Sequence, residues 1–179
     1  SNDGYLLKNF KKKKIPCLGI EPTLSTAVKA EEIGINCEKI FLTKHNALKL
    51  CEKYRKADLI IGNNVYAHVP DINDFTSSLE ILLEDEGIIT LEFPHLLNLL
   101  RFNQFDTIYH EHFSYLSLSV VKKIFEKNNL KVFNVEELNT HGGSIRVYGC
   151  KKKSKRSISK NVDILLSKET LYKMESLKT

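Results

Sequence analysis

At 179 residues, 42% of them hydrophobic and 27% charged, the chain has the size and composition of one globular α/β domain able to bury a core. No apolar run reaches the roughly 18 residues of a membrane span and no secretory signal opens the chain, so the expectation is a soluble, cytoplasmic protein without a membrane partner. The net charge of +5 comes largely from residues 11–14 and 151–156. With no aromatic residues interleaved, these runs read as solvated lysines on a helix end and a linker, not as a nucleic-acid surface.

Ser1-Asn2-Asp3-Gly4 is loop chemistry with no strand before it. Residues 5–12 read as a helix with Leu6, Leu7 and Phe10 on one side. Residues 17–20 form a short apolar strand ending at Glu21-Pro22, and 25–32 a helix stopped by Gly34. A strand is expected at 39–42 and a helix at 47–55. Residues 58–62, Asp-Leu-Ile-Ile-Gly, predict a buried strand running into Asn63-Asn64. Asp71 is placed to cap a helix through Leu83. A further strand covers 87–93 and ends at Pro94, with a helix at 119–128. Residues 131–136 and 144–149 read as two strands joined without a helix, and 161–179 as a helical tail after a basic linker. The alternation predicts a doubly wound, mainly parallel sheet with an antiparallel edge. Cys17, Cys37, Cys51 and Cys150 lack CxxC spacing and read as reduced thiols, not as a zinc or disulfide framework.

The most informative stretch is 91–117, LEFPHLLNLLRFNQFDTIYHEHFSYLS. It follows a strand, where open α/β sheets bind ligands, and it carries Tyr109, His110, Glu111 and His112 in sequence, the residue types that proton transfer needs. His110 and His112 share a face of an extended segment, with Glu111 pointing away. That spacing serves a base or an orienting pair, or a metal, although no nearby residue completes a zinc set. Glu21, directly after a strand, is placed to accept hydrogen bonds from ribose hydroxyls. Asn64 and His68 project from a strand-to-helix loop, where a functional and a purely structural reading weigh equally. His141-Gly142-Gly143-Ser144 reads as well as a tight hairpin turn as it does as a ligand loop. There is no GxGxxG.

Taken together, SNDGYLL, GIEP, NNVYAHVPDINDF, ITLEFPHLLNLL, QFDTIYHEHFSYLS and THGGSIRVYG resemble the sugar C-methyltransferases that act on nucleotide-linked 4-keto-6-deoxyhexoses. The resemblance runs in order through Gly149. It implies a class I, Rossmann-like methyltransferase fold and S-adenosylmethionine as cofactor. The implied reaction is methylation of carbon 3 of a dTDP-type keto sugar, as in deoxysugar biosynthesis. It places Asn2, Asp3, Gly4, Glu21 and Asn64 in the cofactor site, with Asn64 and His68 lining the cleft. Tyr109, Glu111 and His112 become the catalytic set, with His112 the base and His68 in support. Family members are longer, with an amino-terminal zinc-binding region and a carboxyl-terminal domain. The resemblance therefore implies a fragment lacking those parts and its first strand: a methyltransferase core over 1–150, then a linker and the helical start of a further domain over 151–179. An oligomer is compatible with this reading. The rival readings are a fragment that binds a nucleotide or partner without turnover, and a metal-dependent hydrolase built on His110, His112 and His141.

Overall fold

A computed structural model describes residues 2–174. Ser1 of the opening loop and residues 175–179 of the expected tail lie outside the described residues. The chain divides into two compact units, Ser1–Asn46 and Ala47–Thr179.

The first unit contains α1 (Leu7–Lys12), β1 (Gly19–Ile20), α2 (Leu24–Glu32) and β2 (Cys37–Glu38), with β1 and β2 paired in parallel, Gly19 opposite Cys37. The strand expected at 39–42 is thus displaced to Cys37–Glu38. Cys37 is buried, whereas Lys39 reaches out to Glu31 at 2.8 Å and Phe41 is exposed, so hydrophobicity alone misplaced the strand. Gly34 ends α2 as expected, with a left-handed φ of +74° that carries the chain back into Ile35.

In the second unit, α3 (Lys44–Lys53, most of it in this unit), β3 (Ala57–Asn63), α4 (Ile72–Leu82) and β4 (Leu83–Pro94) alternate. They are followed by α5 (Leu96–Arg101), α6 (Leu118–Lys127), β5 (Leu130–Leu138), β6 (Ser144–Lys151) and α7 (Lys160–Leu171). The sheet order is β3–β4–β6–β5. β3 runs parallel to β4, and β6 runs antiparallel to both β4 and β5. The reversed strand is therefore the inner member of an edge hairpin, with β5 outermost. β3 is not the buried strand that its Leu-Ile-Ile run suggests. It occupies the other edge of the sheet, and Leu59 is 43% exposed. The α5 turn was not anticipated, because Pro94 reads as the end of regular structure.

The core forms where α6 meets the sheet. Val121 and Phe125, four residues apart on one face of α6, are both fully buried. A side chain at Gly149 would run into the Phe125 ring at 2.3 Å, so glycine there is what lets α6 approach β6. Tyr66 is also fully buried, its ring 5.9 Å from both Phe75 and Phe93. Its hydroxyl donates to Thr76 Oγ1 at 2.7 Å, since Thr76 already donates to the Ile72 carbonyl. Burial pushes the Tyr66 phenol well above its usual range.

The 151–156 tract is not a loose linker. Lys151 and Lys153 pair with Asp85 at 3.2 and 3.0 Å, and Arg156 donates to the Glu86 carbonyl. No described helix is long and apolar enough to cross a membrane.

Candidate active site

In the first unit, the carboxylate of Glu21 lies directly after β1. Both its oxygens accept backbone amides, Oε2 from Asn2 at 2.8 Å and Oε1 from Thr23 at 3.0 Å. Only 7% of the residue is exposed. Burial raises its pKa, the amides of Thr23 and Asn2 lower it, and the net position is below the usual carboxylate range. Gly4 takes a φ of +80°. A side chain there would crowd Ile33 at 3.0 Å and Ile35 at 3.1 Å, so the turn into α1 demands glycine. Asp3 is exposed and accepts from the Tyr5 amide at 3.1 Å. Asn2 and Glu21 thus meet directly after β1, and the neighbouring Asp3 is exposed.

In the second unit, three loops gather beyond the carboxyl ends of β3 and β4. The first begins at Asn64, which turns with a left-handed φ of 52° while its amide still donates to the Glu92 carbonyl. It ends at Asp71, which caps α4 as predicted by accepting from the amides of Asn73 and Asp74. The second runs from His95 to Ser117. The third is 139–143, where His141 also has a left-handed φ of 50°. Glu92 anchors this third loop, accepting from Arg146 Nη2 at 2.7 Å and Thr140 Oγ1 at 3.2 Å. The hydrogen bond from Arg146 to Glu92 raises the Arg146 pKa. Asn64 Nδ2 donates to His141 Nε2 at 3.2 Å, tying the first loop to the third.

The second loop folds onto the first. The amides of Phe113 and Ser114 both donate to the Ala67 carbonyl, at 2.9 and 3.2 Å. This brings His68, Tyr109 and His112 into one cluster. The His112 ring lies 4.4 Å from that of Tyr109 and 4.7 Å from that of His68, centroid to centroid. Tyr115 closes another side at 5.9 Å.

Two hydrogen bonds set the tautomers. His112 Nδ1 lies 2.9 Å from the Thr107 carbonyl, and His68 Nδ1 2.9 Å from the Glu111 carbonyl. A carbonyl only accepts, so each Nδ1 carries a hydrogen, and in a neutral ring the lone pair sits on Nε2. The sequence-predicted residues His68, Tyr109 and His112 therefore come together. Glu111 takes part through its carbonyl, while its side chain is exposed, 4.0 Å from the exposed His110. Among the described residues, no three His, Cys, Asp or Glu side chains converge as a metal site, so the His110–His112–His141 arrangement of the hydrolase reading does not form.

Sequence reasoning missed Thr107, Tyr115 and His95, which line a small cavity together with His112, Leu96 and Ser114. It also missed Glu169, which holds His95. Thr107 and Tyr115 lay inside the singled-out motif but carried no spacing signal of their own.

The mixed α/β sheet, with His68, Tyr109 and His112 on loops past its strand ends, has the class I, Rossmann-like methyltransferase fold. The sequence pattern of the methyltransferase domain family matches residues 1–135, and the chain belongs to that family. It is 32% identical over 169 residues to the C-methyltransferase NovU of Streptomyces niveus. That match covers 94% of this chain but 40% of the relative, so the chain spans less than half of that protein's length. Among solved structures, magnesium protoporphyrin IX methyltransferase from Synechocystis PCC 6803, with bound SAH, superposes with a TM-score of 0.61 at 15% identity, over 84% of this chain and 70% of that one. A possible histamine N-methyltransferase from Thermotoga maritima gives 0.62 at 16% identity, over 85% and 78%. At these identities the two structures speak to the fold alone.

Proposed function

We propose that the chain is the catalytic part of an S-adenosylmethionine-dependent C-methyltransferase that methylates carbon 3 of a nucleotide-linked 4-keto-6-deoxy sugar, with His112 as the base. The observation that carries this reading is the state of His112. Its Nδ1–H is committed to Thr107, which leaves Nε2 as the basic nitrogen, and Tyr109 and His68 stand beside the ring. The relative's name, C-methyltransferase, supports transfer to carbon.

The residues of the first unit fit the cofactor. Glu21 is held as a carboxylate by two amides, the kind of acceptor to which a ribose diol donates, and Gly4 turns the backbone without a side chain. Asn2, Asp3, Gly4 and Glu21 would hold it. When bound, S-adenosylmethionine supplies an electrophilic methyl group.

Carbon becomes nucleophilic only when a proton next to a carbonyl leaves. Histidine, with an ordinary pKa near about 6.5, suits that step at cellular pH. His112 Nε2 takes the proton from carbon 3, and the Thr107 carbonyl stabilises the imidazolium through Nδ1–H. The negative charge that develops on the ketone oxygen requires a donor. The Tyr109 hydroxyl supplies one, whereas His68, whose Nδ1–H is spent on Glu111, offers no second donor in its neutral tautomer. Glu111 positions His68 through its carbonyl.

His112→Asn tests the reading. The asparagine amide can keep the hydrogen bond to Thr107 while removing Nε2. Methyl transfer should fall by roughly 10²- to 10⁴-fold, the usual worth of a general base. S-adenosylmethionine binding, measured by calorimetry, should be unchanged. Full activity in this variant, or lost cofactor binding, would reassign His112.

A further inference from the structure

Glu169 on α7 lies beyond the residues matched by the family pattern, in a polar tail, yet it is 1% exposed. Its carboxylate accepts from three donors: Leu118 N at 2.6 Å, His95 Nε2 at 2.7 Å and Ser119 N at 2.9 Å. Leu118 and Ser119 open α6, whose capping residue Ser117 takes the amide of Val120. The carboxylate thus meets the amides that a helix start leaves unpaired, where a negative charge is favoured. Burial would raise the Glu169 pKa, but His95 and these amides outweigh it and hold it below the usual carboxylate range.

His95 and Leu118 bracket the stretch that carries Tyr109, Glu111 and His112. Their neighbourhoods also meet directly, since His95 bridges to Leu116 and the Leu96 amide donates to the Leu116 carbonyl at 2.9 Å. The buried Nδ1 of His95 has no hydrogen-bond partner among the described residues, so Glu169 is what fixes the ring. That ring and His112 line the same small cavity.

We propose that Glu169 is a positioning residue for the His112 site: one carboxylate from the C-terminal helix pins both ends of the 96–117 loop and so fixes where His112 points. The proposal rests on the reading of His112 as the base, but its first test does not. α7 anchors the carboxylate through Val162 and Leu165, both buried, and through its cap at Ser159.

The test is amide hydrogen exchange on the chain with Glu169→Ala and Glu169→Gln. In the alanine variant, exchange at Leu96, Phe113 and Ser114 should rise by about tenfold or more while Leu91 and Val147 in the sheet keep their wild-type rates. Glutamine fills the same volume but cannot accept from all three donors, so it should fall between the two. If the alanine variant loses its sheet protection, the glutamine variant decides: selective loosening at Phe113 and Ser114 supports the proposal. Wild-type exchange there, or uniform loosening of loop and sheet, overturns it. In the methyl-transfer assay the same variant should lose kcat by about 10²-fold, the scale of a small misplacement, with an unchanged KM for S-adenosylmethionine. If the wild-type chain is inactive, the exchange result alone judges the clamp.

Discussion

Glu21 and Glu169 are buried carboxylates in different compact units, and both collect backbone amides. Glu21 holds Asn2 and Thr23, so one partner is a near neighbour and the other opens the same unit. Glu169 reaches back across 51 positions to Leu118 and 74 to His95. The first carboxylate completes a turn directly after a strand. The second completes a helix start and a histidine, and spends its capacity inside the protein. Similar chemistry therefore closes a turn after a strand in one region and supports a loop in the other, and position relative to a strand end is what separates them.

Breaking the second carboxylate should have the larger effect on stability. Glu169→Ala strands a buried imidazole N–H and two helix-start amides, and should cost about 3–5 kcal/mol in denaturant melts, the range for removing one member of a buried pair. A pH series sharpens this. The folded Glu169 pKa is lowered, so its contribution is complete above the unfolded value of about 4.3 and is lost as pH falls through the folded value. The wild type should therefore lose stability relative to Glu169→Gln as the solution is acidified below about pH 4.3. An unchanged gap would show that the carboxylate's charge contributes nothing.

Breaking the first should act on binding. Glu21→Gln weakens the acceptor for a ribose diol, a charged hydrogen bond worth roughly 1.5–3 kcal/mol. S-adenosylmethionine affinity should drop about 10- to 100-fold by calorimetry. Undiminished affinity would remove Glu21 from the cofactor site. The smallest effect belongs to a purely local device: Asp71→Ala removes the α4 cap and should cost about 1 kcal/mol of stability without touching catalysis.

The two carboxylates also mark what the amino-acid order discloses. Glu21 could be singled out because a strand, an acid and a proline follow one another. His68, Tyr109 and His112 were visible because chemistry-bearing residues crowd the loops after two clear strands. The Asp71 cap follows from a local rule. His95 sits in an apolar run, Phe-Pro-His-Leu-Leu, and Glu169 in a charged helix, so nothing local connects them. Their pairing appears only once α7 has docked. The shift of β2 to Cys37–Glu38 and the exposure of β3 have the same origin. Apolar content reports which segments form strands, but pairing partners decide which residues are in the ladder and which strand lies at the edge. The 151–156 tract reads as solvated until the acidic Asp85 and Glu86 are placed beside it.

The most direct test of the central claim separates proton removal from methyl transfer. The chain is incubated in D2O with S-adenosylhomocysteine and a dTDP-4-keto-6-deoxyhexose, and the proton on carbon 3 is followed by NMR. Exchange in the wild type that falls by at least about 10²-fold in His112→Asn is the predicted result. Equal exchange in both proteins, or a retained carbon-3 proton in a wild-type chain that transfers methyl groups, would contradict His112 as the base.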